Sequence, residues 1–135
     1  MNSYSANMQA VYDKATEIAK QYGSAYISTE HFVYAMLLTD CKAGKILKSC
    51  GVNVSLYEVF FKHTISPSAA ITGITPKMNG CLQRAKESTE NSGVQEIGSV
   101  HVLLAILNTD CQAVNILKAL GFNIKELIQQ LETNA

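Results

Sequence analysis

The sequence predicts an all-α fold: two tandem four-helix repeats packed as one pseudo-twofold domain of about eight helices. Three observations carry the prediction. The chain repeats itself at a fixed shift, apolar residues recur at helical spacing within each repeat, and capping residues stand at the expected helix ends.

The repeat comes first because it organises the rest. Shifted by 70 residues, the two halves align without a gap. Met8 falls on Met78, Ala15 on Ala85, Gly23 on Gly93, Ile27 on Ile97 and His31 on His101. Thr39-Asp40-Cys41 recurs as Thr109-Asp110-Cys111, Ile46-Leu47-Lys48 as Ile116-Leu117-Lys118, and Gly51 and Asn53 as Gly121 and Asn123. Repeat one is assigned to about residues 4–63, a linker to 64–74 and repeat two to about 75–133, within one domain of residues 1–135. One such repeat has too little core to stand well alone.

In the first helix Tyr4, Met8, Val11, Tyr12, Ala15, Ile18, Ala19 and Tyr22 fall on one face, with Ser3 or Ser5 as cap and Gly23 in the left-handed C′ position. The second helix starts at Ser28-Thr29, with Glu30 in its first turn. Phe32 to Leu38 is apolar nearly all round, so this helix is expected at the centre of the repeat. Asp40 is expected to cap a short third helix ending at Gly51. Asn53 caps a fourth, with Val54, Tyr57, Phe60 and Phe61 facing inward. The second repeat follows the same plan, with Thr75 as cap and Pro76 at the first helical position. Its remaining helices start near Ser99, Asp110 and Asn123. Ser88, Thr89 and Ser92 replace Ile18, Ala19 and Tyr22, so the far end of its first helix should be wetter. The linker is uncharged, and Ile65, Ile71 and Ile74 suggest that it lies on the body.

Composition narrows function. Eleven basic and eleven acidic residues cancel, and there is no basic run, which disfavours nucleic acid as a partner. No apolar stretch approaches the ~18 residues of a membrane helix, and the first residues have no signal-peptide pattern. Cys41, Cys50, Cys81 and Cys111 form no C-x-x-C pair and complete no zinc pattern with His, so they read as reduced thiols in a cytoplasmic protein. Cys41 and Cys111 begin helices, and Cys50 and Cys81 belong to apolar faces. No Asp/Glu/His set converges as acid–base chemistry requires, and His31 and His101 lack a ligand partner at i+3 or i+4. Gly44-Lys45 does not complete a P-loop. The chain is therefore read as a non-catalytic binding module without cofactor or metal.

Ile27-Ser28-Thr29-Glu30-His31 followed by Phe32-Val33-Tyr34-Ala35-Met36-Leu37-Leu38, and the later Ile46-Leu47-x-x-x-Gly51-Val52, resemble the Clp N-terminal repeat of Clp-type AAA+ unfoldases. The doubled motif covers essentially the whole chain and looks closest to the ClpC or ClpA type. The resemblance implies a domain that captures adaptor proteins and unfolded or tagged substrates for a Clp ATPase ring. It acts either in cis, as the N-terminal part of an unfoldase, or in trans, as a stand-alone accessory subunit. It also implies that a glutamate of the T-E-H motif pairs with the guanidinium of phosphoarginine, while helix N-termini offer N–H groups to the phosphate. Glu30 matches that glutamate; Val100 stands at the second-repeat position, so at most one such site is expected. The candidate binding set is Glu30, Thr29, Ser5, Thr75, Tyr26 and Tyr34, with Ser5 expected beside Glu30 and the two tyrosines expected nearest the surface. A first-turn carboxylate also serves its own helix dipole, a contribution of ~0.3–1 kcal/mol that needs no ligand. The apolar residues are largely used within the chain, so the isolated domain is expected to be a monomer.

Overall fold

A computed structural model describes residues 2–65 and 73–134. The sequence-predicted burial of Ile71 lies outside the described residues. Eight helices occur among the described residues. Repeat one holds α1 (Ala6–Gln21), α2 (Thr29–Leu38), α3 (Lys42–Ser49) and α4 (Val54–Lys62). Repeat two holds α5 (Pro76–Asn91), α6 (Ser99–Leu107), α7 (Gln112–Ala119) and α8 (Ile124–Asn134).

The caps explain most helix ends. Ser5 Oγ accepts from Met8 N at 3.1 Å, Asn53 Oδ1 from Leu56 N at 3.0 Å, Thr75 Oγ1 from Met78 N at 3.2 Å and Asn123 Oδ1 from Glu126 N at 3.1 Å. After α1 and α5 the chain turns through Gly23 (φ 66°) and Gly93 (φ 73°), a conformation costly for any residue with a Cβ. The caps of α3 and α7 differ from expectation. Cys41 and Cys111, not Asp40 and Asp110, occupy the cap positions. These helix starts are buried against the other repeat, where an unpaired carboxylate would be stripped of water. Asp40 instead stays in solvent and pairs with Lys45 at 3.0 Å. Cys41 Sγ accepts from Gly44 N at 3.4 Å, and a stronger cap comes from repeat two: Ser99 Oγ accepts from Ala43 N at 3.1 Å. Thr29 Oγ1 does the same for Ala113 N of α7, at 3.3 Å.

That reciprocity runs through the fold. Helix α2 packs on α1, α3 and α4 of its own repeat and on α6 and α7 of the other. It is buried from Thr29 to Leu37, as expected of the central helix. Two short parallel pairings, absent from the sequence reading, cross between repeats. β1 (Ser3–Tyr4) pairs with β2 (Glu96–Ile97), and Ile27 bridges Ile74. Tyr4, expected on the first helix, therefore lies in a strand, and α1 starts only at Ala6. Stretches this brief leave no alternating pattern to read. Each repeat's entry strand thus lies against the other repeat's α-helical loop.

The core is one cluster spanning both repeats, with Met8, Ile18, Phe32, Leu47, Tyr57, Phe61, Met78, Leu103, Ile106 and Leu117 fully enclosed. In repeat one its outer part is aromatic: Phe61 meets Tyr22 edge-on at 5.4 Å and His31 at 5.0 Å. Two expectations about side chains fail here. Phe60 faces outward, because adjacent residues on a helix point about 100° apart and Phe61 takes the inward direction. Tyr34 is only 5% exposed, since α2 is covered on all sides, and its hydroxyl donates to Glu58 at 2.9 Å. The end of α5 is wetter than that of α1, as expected, with Ser88 and Ser92 exposed. Thr89 is the exception: it is buried, donates to Lys86 O at 2.8 Å and accepts from Asn2 at 2.8 Å. Among the described residues no single helix is long and apolar enough to cross a membrane.

Candidate functional site

Three helix N-termini converge on a cleft of about 540 Å³ between the repeats. The first turn of α2 brings Thr29 and Glu30, that of α5 brings Thr75 and Lys77, and that of α7 brings Gln112, with Tyr26 also on the wall. The positive ends of three helix dipoles therefore face one space. Lys77, exposed in the first turn of α5, adds a full positive charge, and exposed Asp110, just before α7, places one negative charge on the same wall. Such a wall suits an anion.

Glu30 supplies the opposite charge. The residue is 7% exposed, and among the described residues the donor to its carboxylate is the Thr29 hydroxyl, at a long 3.4 Å. A carboxylate so far out of water and so sparsely bonded has capacity left for a cationic donor. Its backbone is held firmly, because Tyr57 donates to Glu30 O at 2.9 Å from fully inside the core. The cleft thus combines a cation-seeking carboxylate with an anion-seeking wall. A ligand carrying both charges on one side chain matches it.

His31 borders the same cleft in a structural role. Its Nδ1 accepts from Ser28 N at 3.1 Å, which leaves the proton on Nε2, 2.8 Å from Ser24 Oγ. Burial pushes its pKa below the usual histidine value, and the Glu30 charge opposes that only in part. His101 repeats the contact to Gly98 N at 2.8 Å, and burial lowers its pKa as well. Both rings close the first turn of their helices. Among the described residues no group of three or more His, Cys, Asp or Glu is placed to hold a metal ion.

The pseudo-twofold partner of this cleft is smaller, about 210 Å³, and is lined by Ser5, Asn7, Lys42, Ser99 and Val100. It has the same backbone plan, but Val100 replaces the carboxylate. The sequence-predicted set therefore divides. Glu30, Thr29, Thr75 and Tyr26 meet in the large cleft, where Tyr26 stands 51% exposed. Ser5 lies in the small cleft with Val100, and Tyr34 lies in the core. Each repeat's first helix points its N-terminus at the other repeat's T-E-H segment, so Thr75, not Ser5, is the hydroxyl beside Glu30. Lys77 and Gln112 were missed for the same reason: both reach the site from repeat two.

The model of the Clp repeat (R) N-terminal domain matches residues 3–70 and again 73–135. The chain belongs to this family. As a Clp repeat domain it is 24% identical over 126 residues to the chaperone protein ClpB of Porphyromonas gingivalis, a match covering 90% of this chain and 15% of that protein. The chain thus spans about one seventh of the length of that relative. Among solved structures, the Hsp104 N-terminal domain of Candida albicans shares the fold with a TM-score of 0.80 at 20% identity, over 96% of this chain and 89% of that one. A ClpV N-domain, solved in complex with a VipB peptide, shares it with a TM-score of 0.75 at 17% identity, over 98% and 89% of the two chains.

Proposed function

We propose that this Clp repeat domain is a non-catalytic docking module that captures adaptor proteins and unfolded or tagged substrates for a Clp ATPase ring, in cis or in trans. We place it in the cytoplasm, a reducing compartment in which buried free thiols such as Cys41, Cys81 and Cys111 persist. The observation that carries the reading is the inter-repeat cleft, which sets the Glu30 carboxylate against three helix N-termini and Lys77. The ClpV N-domain, of the same fold, supports it as a peptide binder.

The side chain that fits both charges of the cleft is phosphoarginine. Its guanidinium pairs with Glu30, and its phosphate faces Lys77 and the free N–H groups at the helix starts. The Val100 cleft lacks the carboxylate, so one such side chain binds per domain. A single site of this kind binds weakly. Repetition around a ring supplies the avidity through effective concentration.

Calorimetric titration with free phosphoarginine tests this. Saturable binding near one equivalent is expected, and Glu30→Ala should weaken it at least tenfold, about 1.4 kcal/mol or more. Glu30→Gln keeps the shape and removes the charge, so it should behave like the alanine variant. No binding to the unmodified chain would remove phosphoarginine as the ligand.

A further inference from the structure

The charges of the Glu30 cleft leave one carboxylate over. In the proposed complex Glu30 answers the guanidinium, and Lys77 with the three helix N-termini answers the phosphate. Asp110, exposed on the same wall, has no counterpart in that side chain. Among the described residues it forms no ion pair. Lys77 in the cleft, and Lys118 and Lys125 in the neighbouring groove that Asp110 also borders, all lie beyond ion-pair reach.

The repeat supplies an internal comparison. The equivalent Asp40 pairs with Lys45 at 3.0 Å. Shifted by 70 residues, Lys45 becomes Asn115, which is exposed and also lines the cleft. The α7 dipole favours a carboxylate at this place, but the α3 dipole favours Asp40 equally. The dipoles therefore account for both carboxylates and not for the missing lysine. The two clefts differ accordingly. Apart from His31 and His101, the large one carries Glu30, Asp110 and Lys77, whereas the small one carries Lys42 and no acidic side chain. A cleft of about 540 Å³ is roughly 8 Å across, the span of two or three extended residues at ~3.3–3.6 Å each. A bound segment thus brings the neighbours of its phosphoarginine into the cleft as well.

We propose that Asp110 is a specificity residue of the cleft. It pairs with a lysine or arginine next to the phosphoarginine, so the domain selects tagged segments of basic sequence. This selection rests on phosphoarginine pairing with Glu30.

The test uses the whole 135-residue chain and three short peptides with one central phosphoarginine, flanked on both sides by lysine, by alanine or by glutamate. The lysine peptide is expected to bind roughly two- to fivefold tighter than the alanine peptide, the range of an exposed ion pair, with the glutamate peptide weakest. That preference should shrink as salt rises from about 0.05 M to about 0.5 M. Asp110→Asn should bring the ratio of lysine-peptide to alanine-peptide affinity close to one. Asn115→Lys, which copies repeat one, should do the same by pairing Asp110 within the chain. Because the readout is a ratio on one protein, a change in stability does not move it. Equal affinity for the lysine and alanine peptides, or a preference that Asp110→Asn leaves intact, overturns the role of Asp110 and leaves the Glu30 reading standing. Failure of all three peptides to bind overturns both.

Discussion

Glu30 sits in the first turn of α2 with its carboxylate nearly out of water and one long hydrogen bond to Thr29. The α2 dipole offsets part of the desolvation, by ~0.3–1 kcal/mol, and a bound cationic group would offset more. Its counterpart Val100 occupies the same backbone position without a charge. Val100→Glu should therefore create a second site, and titration with phosphoarginine should then approach about two equivalents. A stoichiometry that stays at one would mean that the smaller cleft cannot hold the ligand. The histidines at 31 and 101 give a separate prediction. Burial depresses both pKa values in the folded chain, so below pH ~6.5 the unfolded chain binds more protons. The stability is fully present above that pH and is lost as the pH falls through it toward the folded values. Melting temperatures measured from about pH 7.5 down to 5.5 should decline. His31→Gln should flatten the decline, with His101 left as the smaller contributor because it is less buried.

At the level of single helices, caps and periodicity were enough to locate all eight among the described residues. Both signals are local: a hydroxyl bonds an N–H three residues on, and an apolar stripe needs only one neighbour to bury it. Inference failed where a helix's surroundings decide. Phe60 and Phe61 are equally apolar, and only the position of α2 determines which turns inward. Asp40 has the chemistry of a cap, but a buried helix start with a donor from Ser99 selects Cys41 instead. Gly44 shows the same dependence. A Cβ there would overlap the Met36 carbonyl of α2 and crowd Cys41 Sγ at 3.4 Å, whereas α7 carries Val114 at the equivalent place. Gly44→Ala would gain ~1 kcal/mol of helix propensity and lose more to overpacking, which costs ~1–3 kcal/mol. Denaturant unfolding should show a lower midpoint for this variant. A higher midpoint would mean that α3 shifts away from α2 at little cost.

Across the whole molecule, each repeat completes the other. Ser99 caps α3 and Thr29 caps α7, the entry strands cross over, and the core is continuous. The repeat and its fold were legible because a 70-residue register survives in the sequence. The site was legible only in part. Glu30, Thr29 and Tyr26 are neighbours along the chain, and a local motif points to them. Thr75 was legible as a cap hydroxyl of the opposing repeat, but Lys77 and Gln112 reach the cleft from that repeat with no local pattern to say which first helix faces which T-E-H segment. The central claim is that one ligand site is built across the repeats around Glu30. The most direct test is to follow the backbone amides by NMR during titration with a short phosphoarginine-bearing peptide. The account predicts saturable shifts at Thr29, Glu30, Lys77 and Gln112, with Ser5 and Val100 unmoved. Shifts centred on Ser5 and Val100, or shifts confined to residues of one repeat, would contradict it.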